Sequence, residues 1–246
     1  MKITPVLLFV GLISASYGFS APSQAQFNPF SRLVSEHGDM REPDASALWF
    51  ERADGEGRFV FDQSYMPGLI WDERAQEIWI VTPRRASGGG MVWVTDTGEV
   101  RLQFTHIGGA TYFPEDTPDG IMVEEVGRAH TLAADPMDND DLGEVAQALA
   151  NGLSAHVGEA LTLRVEPRGS LDNGYVAECL HVIDHAAHQL SAADLADLEA
   201  IEVLYDLEPG VVFEEGVLRV TMVPEMGYGG RPSSEKIVRA LQRRPI

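Results

Sequence analysis

The feature that most constrains the fold is a rhythm of short β-like runs in the middle of the chain, which stops at an acidic stretch and gives way to a longer period. Arg58-Phe-Val-Phe-Asp62 alternates, Gly68-Leu-Ile-Trp71 follows a Pro-Gly turn, and Gln76-Glu-Ile-Trp-Ile-Val81 comes next. Ser87-Gly-Gly-Gly90 opens Met91-Val-Trp-Val94, and Asp96-Thr-Gly98 turns into Val100-Arg-Leu-Gln-Phe-Thr105. Ala110-Thr-Tyr-Phe113 and Gly120-Ile-Met-Val123 complete the series. Alternation marks half-buried strands, and turn signals about every 8–12 residues are the spacing of an antiparallel meander or small barrel. Trp71, Trp79 and Trp93 fall here, where aromatics on neighbouring strands fill a core more often than they form a ligand box.

Ala134-Asp-Pro-Met-Asp-Asn-Asp-Asp-Leu-Gly143 interrupts the rhythm and supplies an acidic helix start. Beyond it Val145, Leu149, Leu153 and Val157 recur every four residues within a helix over Leu142–Ala160. Leu161–Val165 reads as a strand and Tyr175–Leu190 as a helix. Ser191 with Asp194 is cap-like and predicts another helix start. Ile201–Leu207 and Val211–Val223 read as strands, the latter folding back at Glu214-Glu-Gly216, and Ser233–Gln242 as a short basic helix. The expected fold class is α+β: an antiparallel β-meander N-terminal half followed by a mixed half of about three helices and three strands. The expected divisions are a signal peptide (1–25), a leader (26–56), a β-rich region (57–133), an acidic connector (134–143) and a mixed α/β region (144–246).

The N-terminus sets the expected compartment. Lys2 precedes the apolar run Pro5–Ile13, too short for a bilayer, which needs about 20 apolar residues. Ser23 and Ala25 stand at the −3 and −1 positions of a cleavage site after Ala25. No cysteine stands just after the run, so the lipoprotein route is closed, and no later stretch is apolar enough to span a membrane. The expected product is periplasmic or secreted. Cys179, the one cysteine, cannot form an intramolecular disulfide, and burial as a small hydrophobe is the common outcome. The formal net charge of −20 falls to −21 once Lys2 is removed. That charge repels phosphate backbones, so no nucleic-acid partner is expected.

Two stretches resemble a known family. Leu102 with Gly108-Gly109-Ala-Thr111-Tyr-Phe113, and Gly229-Gly230-Arg231-Pro232-Ser233-Ser234-Glu-Lys-Ile237, are similar to elements of a domain-of-unknown-function family of secreted Gram-negative proteins. The similarity in element order spans roughly residues 50 to 240. It implies export and a mixed fold, and it assigns no catalytic residue.

Two constellations invite chemistry. His181, His185 and His188 fall on the face of their helix opposite Val176, Leu180, Ile183, Ala187 and Leu190. Histidines four apart can chelate a divalent metal, but a helix face alone seldom closes a four-ligand site, and a solvated polar face is the simpler account. Val182 stands where a metalloprotease helix needs glutamate. Gly229, Gly230, Arg231, Ser233 and Ser234 gather amides, a guanidinium and two hydroxyls at a helix N-terminus, which suits a carboxylate or phosphate ligand. The simpler account of that stretch is turn glycines and a serine cap.

Ser233 and Lys236 have the spacing of a serine–lysine pair, but the penicillin-recognising enzymes need a second lysine, and only Lys2 accompanies Lys236. Glu115, Asp116 and Asp119, then Asp135, Asp138, Asp140 and Asp141, form acidic loops without EF-hand spacing. The expected function is non-catalytic binding of a protein or small-molecule partner, with no cofactor beyond a candidate divalent metal; the alternatives are a divalent-metal-binding protein using the histidine stripe and a hydrolase with the Ser233–Lys236 pair.

Overall fold

The computed structural model describes residues 46–242 apart from Gln76. The signal peptide at 1–25 and most of the leader lie outside the described residues. Eight antiparallel strands close into a barrel: β1 (Ala47–Arg52), β2 (Arg58–Asp62), β3 (Gly68–Asp72), β4 (Ile78–Arg85), β5 (Met91–Val94), β6 (Val100–Phe104), β7 (Ala110–Tyr112) and β8 (Ile121–Arg128). They pair in chain order, and β8 returns to β1 through a register running from Leu48↔Arg128 to Arg52↔Val123.

The expected α+β fold with an open meander is therefore corrected: the N-terminal half is a closed barrel, and the described chain is mostly β. What closes the barrel is what the sequence pattern conceals. Strand β1 lay within the expected leader because a bulge between Trp49 and Phe50 breaks its alternation, so that Ala47, Phe50 and Arg52 are its buried residues. The second half of β8, Glu124-Glu-Val-Gly-Arg128, carries acidic side chains outward and has no apolar alternation to announce it.

Eight strands leave an interior that side chains just fill. Here the filling is aromatic: Phe59 stacks on Tyr112 at 4.2 Å and on Phe50 at 5.3 Å, and Phe61 meets Trp93 edge to face at 4.8 Å. Trp79 and Trp93 are core residues of the barrel, whereas Trp71 meets Trp49 edge to face at 5.8 Å in a separate cluster with Ala47, Val60 and Ala129. The buried Asp72 carboxylate accepts from the Tyr112 hydroxyl at 2.6 Å and the Arg74 amide at 2.7 Å.

The second half holds a four-stranded sheet in the order β11–β12–β10–β9: β9 (Thr162–Arg164), β10 (Ala200–Tyr205), β11 (Gly210–Glu214) and β12 (Val217–Met222). Strands β9, β10 and β12 are parallel and β11 is antiparallel. Helices α1 (Asn139–Val157), α2 (Ser170–His188) and α3 (Ser234–Leu241) share one core with β10 and β12, and a 3-10 segment, Pro224–Gly230, precedes α3. Asp138 caps α1 by accepting from Asp140 N and Asp141 N, and Gly158 ends it at φ 86°. The expected helix at Ser191 is absent. Ser191 and Asp194 do bond to each other, at 2.6 Å between side chains, but residues 192–197 form turns that carry Leu195 and Leu198 into the core. Cys179 is fully buried, and burial pushes its thiol up to about 12. Among the described residues no helix is long and apolar enough to cross a membrane.

Because Phe59 touches two other rings inside a filled barrel, Phe59→Ala is expected to cost about 3–5 kcal/mol. Urea denaturation of wild type and variant measures it.

Candidate functional site

Of the residues expected to bind an anion, Arg231, Ser233 and Ser234 lie against carboxylates that belong to the barrel. Ser233 N and Oγ donate to Asp96 at 3.2 and 2.5 Å, while Ser233 Oγ also accepts from Lys236 N as the cap of α3. Ser234 N and Oγ donate to the buried Glu77 at 3.2 and 2.5 Å. Glu235 accepts from Thr97 and Arg101, and Arg239 donates to Glu99 at 2.9 Å. The exposed amides and positive end of a helix N-terminus attract such groups. The first turns of α3 thus clamp onto the start of β4 and the β5–β6 turn.

Arg231 is buried in the same seam. Its Nη2 donates to Ile78 O at 2.7 Å, and its Nη1 lies 4.0 Å from Glu77. Gly230 has a steric role, since a Cβ there would stand 1.9 Å from Val223 O. Ser233 of the serine–lysine pair is buried and bonded to Asp96.

The three histidines do not converge. His185 Nε2 lies 3.9 Å from Glu77 Oε2, so it faces the seam. His188 Nδ1 donates to Asp184 O at 2.9 Å, and its ring stacks on His156 at 5.2 Å. His181 is half-buried. Helix α2 is covered on most sides: Glu178, Cys179 and Val182 are buried along with the expected apolar stripe. Among the described residues no group of three His, Cys, Asp or Glu is placed to hold a metal ion. The acidic loops serve the fold: Asp116 pairs with Arg52 and Arg74, and Glu115 with Arg101.

Sequence reasoning missed the groove where barrel and α/β half meet. Tyr65, Met66, Leu171 and Met226 are 46, 73, 56 and 53 % exposed, and all four line one cavity of about 280 Å³. Its floor includes Tyr175 and Tyr228, packed edge to face at 5.2 Å, and Leu69 of β3. Gly229, one of the expected ligand residues, also lines it, close against Pro67. Asp172 and Glu225 stand at the groove, with Glu225 taking a 2.8 Å bond from Arg168. The other exposed large apolar side chains, such as Met122 and Ile107, do not line it. No periodicity links residues 65–67, 171–175 and 224–229; the only hint in the sequence is apolar residues set in turn-forming stretches.

Two consequences of the seam are measurable. Glu77→Ala strands the Arg231 guanidinium and the Ser234 donors, and is expected to cost about 3–5 kcal/mol in urea denaturation. Glu178, buried behind the seam, is pushed up to about 7 by burial, against Arg231, which opposes the shift, and with Asp135 and Glu77, which add to it. Its folded pKa exceeds the ordinary 4.5, so the folded state holds the proton more tightly. The stabilisation is full below about pH 4.5 and is lost as pH rises through about 7, a fall of about 3 kcal/mol. Glu178→Gln is expected to remove this fall, as read by denaturation midpoints from pH 5 to 8.5.

No curated protein and no solved structure matches the chain. A family model described as Domain of unknown function (DUF4908) matches residues 29–241, which include the barrel, the seam and the groove alike. The chain belongs to that family.

Proposed function

We propose that this is an exported, non-catalytic envelope protein that works by binding a segment of a partner protein in the groove between its two halves. The observation that carries the reading is the gathering of Tyr65, Met66, Leu171 and Met226, all exposed, around one cavity. Scattered exposed apolar residues are ordinary, whereas a contiguous patch marks an interaction site. Methionine and tyrosine are enriched in such surfaces because one adapts to its partner and the other offers a rigid amphipathic ring. The cavity is small for a whole ligand of drug size and suited to one or two side chains of a peptide. Asp172 at the groove, within a chain of net charge −20, favours a segment that carries lysine or arginine beside its apolar anchor.

Several facts support binding over turnover. The hydroxyls of Ser233 and Ser234 are tied to Asp96 and Glu77, and the barrel interior is filled with side chains. Export is supported by the run Pro5–Ile13 and the small residues Ser23 and Ala25.

Leu171→Asp places a charge at the groove without touching the seam. A protein recovered with the wild type from its native compartment, then purified and bound to it directly, should lose at least tenfold in affinity for Leu171→Asp. Equal affinity for both overturns the groove. Recovery of the native protein only from the cytoplasm overturns export. Hydrolase turnover that disappears in Ser233→Ala overturns the non-catalytic reading.

A further inference from the structure

We propose that two copies of the chain join through the free edge of β9: residues 162–168 of one copy pair antiparallel with the same residues of the other, about a two-fold axis at Val165. The contact lies away from the groove, and the binding reading above does not require it.

The barrel has no edge, so among the described strands only β9 and β11 are edge strands. An edge strand presents unpaired N–H and C=O groups, a template for another strand. Which groups β9 presents follows from its bonds to the β10 side. Thr162 N donates to Glu199 O at 3.1 Å, and the Tyr205 hydroxyl donates to Glu166 O. The even-numbered residues thus turn their backbone groups toward β10. Alternation turns those of Leu163 and Val165 to the free edge. The same two residues line a cavity of about 1330 Å³ whose α1 wall is Gly143, Ala146, Gln147 and Ala150. Mostly small side chains on that wall leave room for one more strand.

The register identifies the occupant. In an antiparallel pair, a residue that turns its backbone groups to the partner strand must face a residue that does the same. Pairing about Val165 meets this condition, because it sets Val165 opposite its own copy and Leu163 opposite Pro167. The Val165 residues exchange their N–H and C=O bonds, and each Leu163 N–H reaches the opposite Pro167 carbonyl. Pro167 has no N–H and ends the ladder there.

The same register sets Arg164 of each copy opposite Glu166 of the other, at positions where facing side chains come closest. Both side chains lie on the sheet face away from the helices, since Leu163 and Val165 pack on the helical core and their neighbours alternate outward. Arg164 Nη1 donates to Glu202 at 3.1 Å, and Glu202 also accepts from Arg219 Nε at 3.3 Å. A guanidinium has five N–H groups, so Arg164 has donors left for a second carboxylate. Strand β11 offers no such match, because Gly210-Val-Val-Phe-Glu214 holds an acid and no cation.

The net charge of −20 opposes the approach of two copies at long range, so their contact must rest on short-range terms. Backbone bonds and a pair of ion pairs repeated by the two-fold axis are terms of that kind.

Sedimentation of the purified protein over a concentration series up to about 100 μM tests this. Wild type should pass from monomer to dimer. Arg164→Glu and Glu166→Arg each set like charges opposite one another, and each alone should raise the dissociation constant at least tenfold. Mixing the two variants sets two acids opposite two arginines and should restore the dimer, a recovery that misfolded chains do not give. A wild type that stays monomeric throughout, single variants that dimerise like wild type, or a mixture that stays monomeric overturns the inference.

Hydrogen exchange reads the contact itself. The Val165 amide should exchange several-fold more slowly in the dimer than in the diluted monomer, and equal rates overturn the pairing. Leu171→Asp should leave the dimer intact. Its loss in that variant would put the contact at the groove and overturn pairing through β9. The comparison of partner affinities for Leu171→Asp stands whichever result is found, so the two ideas fail separately.

Discussion

The relation between the two halves depends on one buried carboxylate, Glu77. An isolated charge in such a place costs several kcal/mol in lost hydration. Here Ser234 offers it an amide and a hydroxyl, and Arg231 lies at its side with a second bond to Ile78, the next residue of the barrel. Arg231 and Ser234 flank the turn into α3, so both ends of that turn are fixed to the start of β4. The groove follows from this. With Arg231 anchored and Gly230 too crowded to accept a side chain, the Pro224–Gly230 segment runs between Pro67 of the barrel and Tyr175 of α2, and that course brings Met226 and Tyr228 to the groove.

The sequence disclosed most of the parts and little of their closure. Strands β2 to β7 were legible because their apolar residues alternate and glycine or proline marks their ends. Strand β1 was not, because its bulge hides the alternation, and the outer half of β8 was not, because a barrel strand facing water on one side needs few apolar residues. Those two strands are the ones whose pairing turns a meander into a barrel. Ser191 with Asp194 shows the opposite failure, a cap-like pair whose local bonds form without a helix behind them.

The candidate site was legible in its chemistry and not in its partner. Gly229 to Ser234 was read as a place for an anion, and the structure fills that place from residues 77 and 96, more than a hundred positions upstream. No local pattern reports such a pairing. The surroundings of the histidines were hidden for a related reason: a helical wheel sorts residues by angle, while α2 is covered by α1, α3 and the 3-10 segment at once, so its polar side meets protein as well as water.

Charge explains how an apolar groove can remain open on this molecule. An exposed patch rich in methionine and tyrosine invites self-association as well as a partner. A chain of net charge −20 repels its own copies at long range, and Asp172 sets that repulsion at the groove itself. The same field attracts a segment bearing arginine or lysine, so selection between self and partner begins before contact.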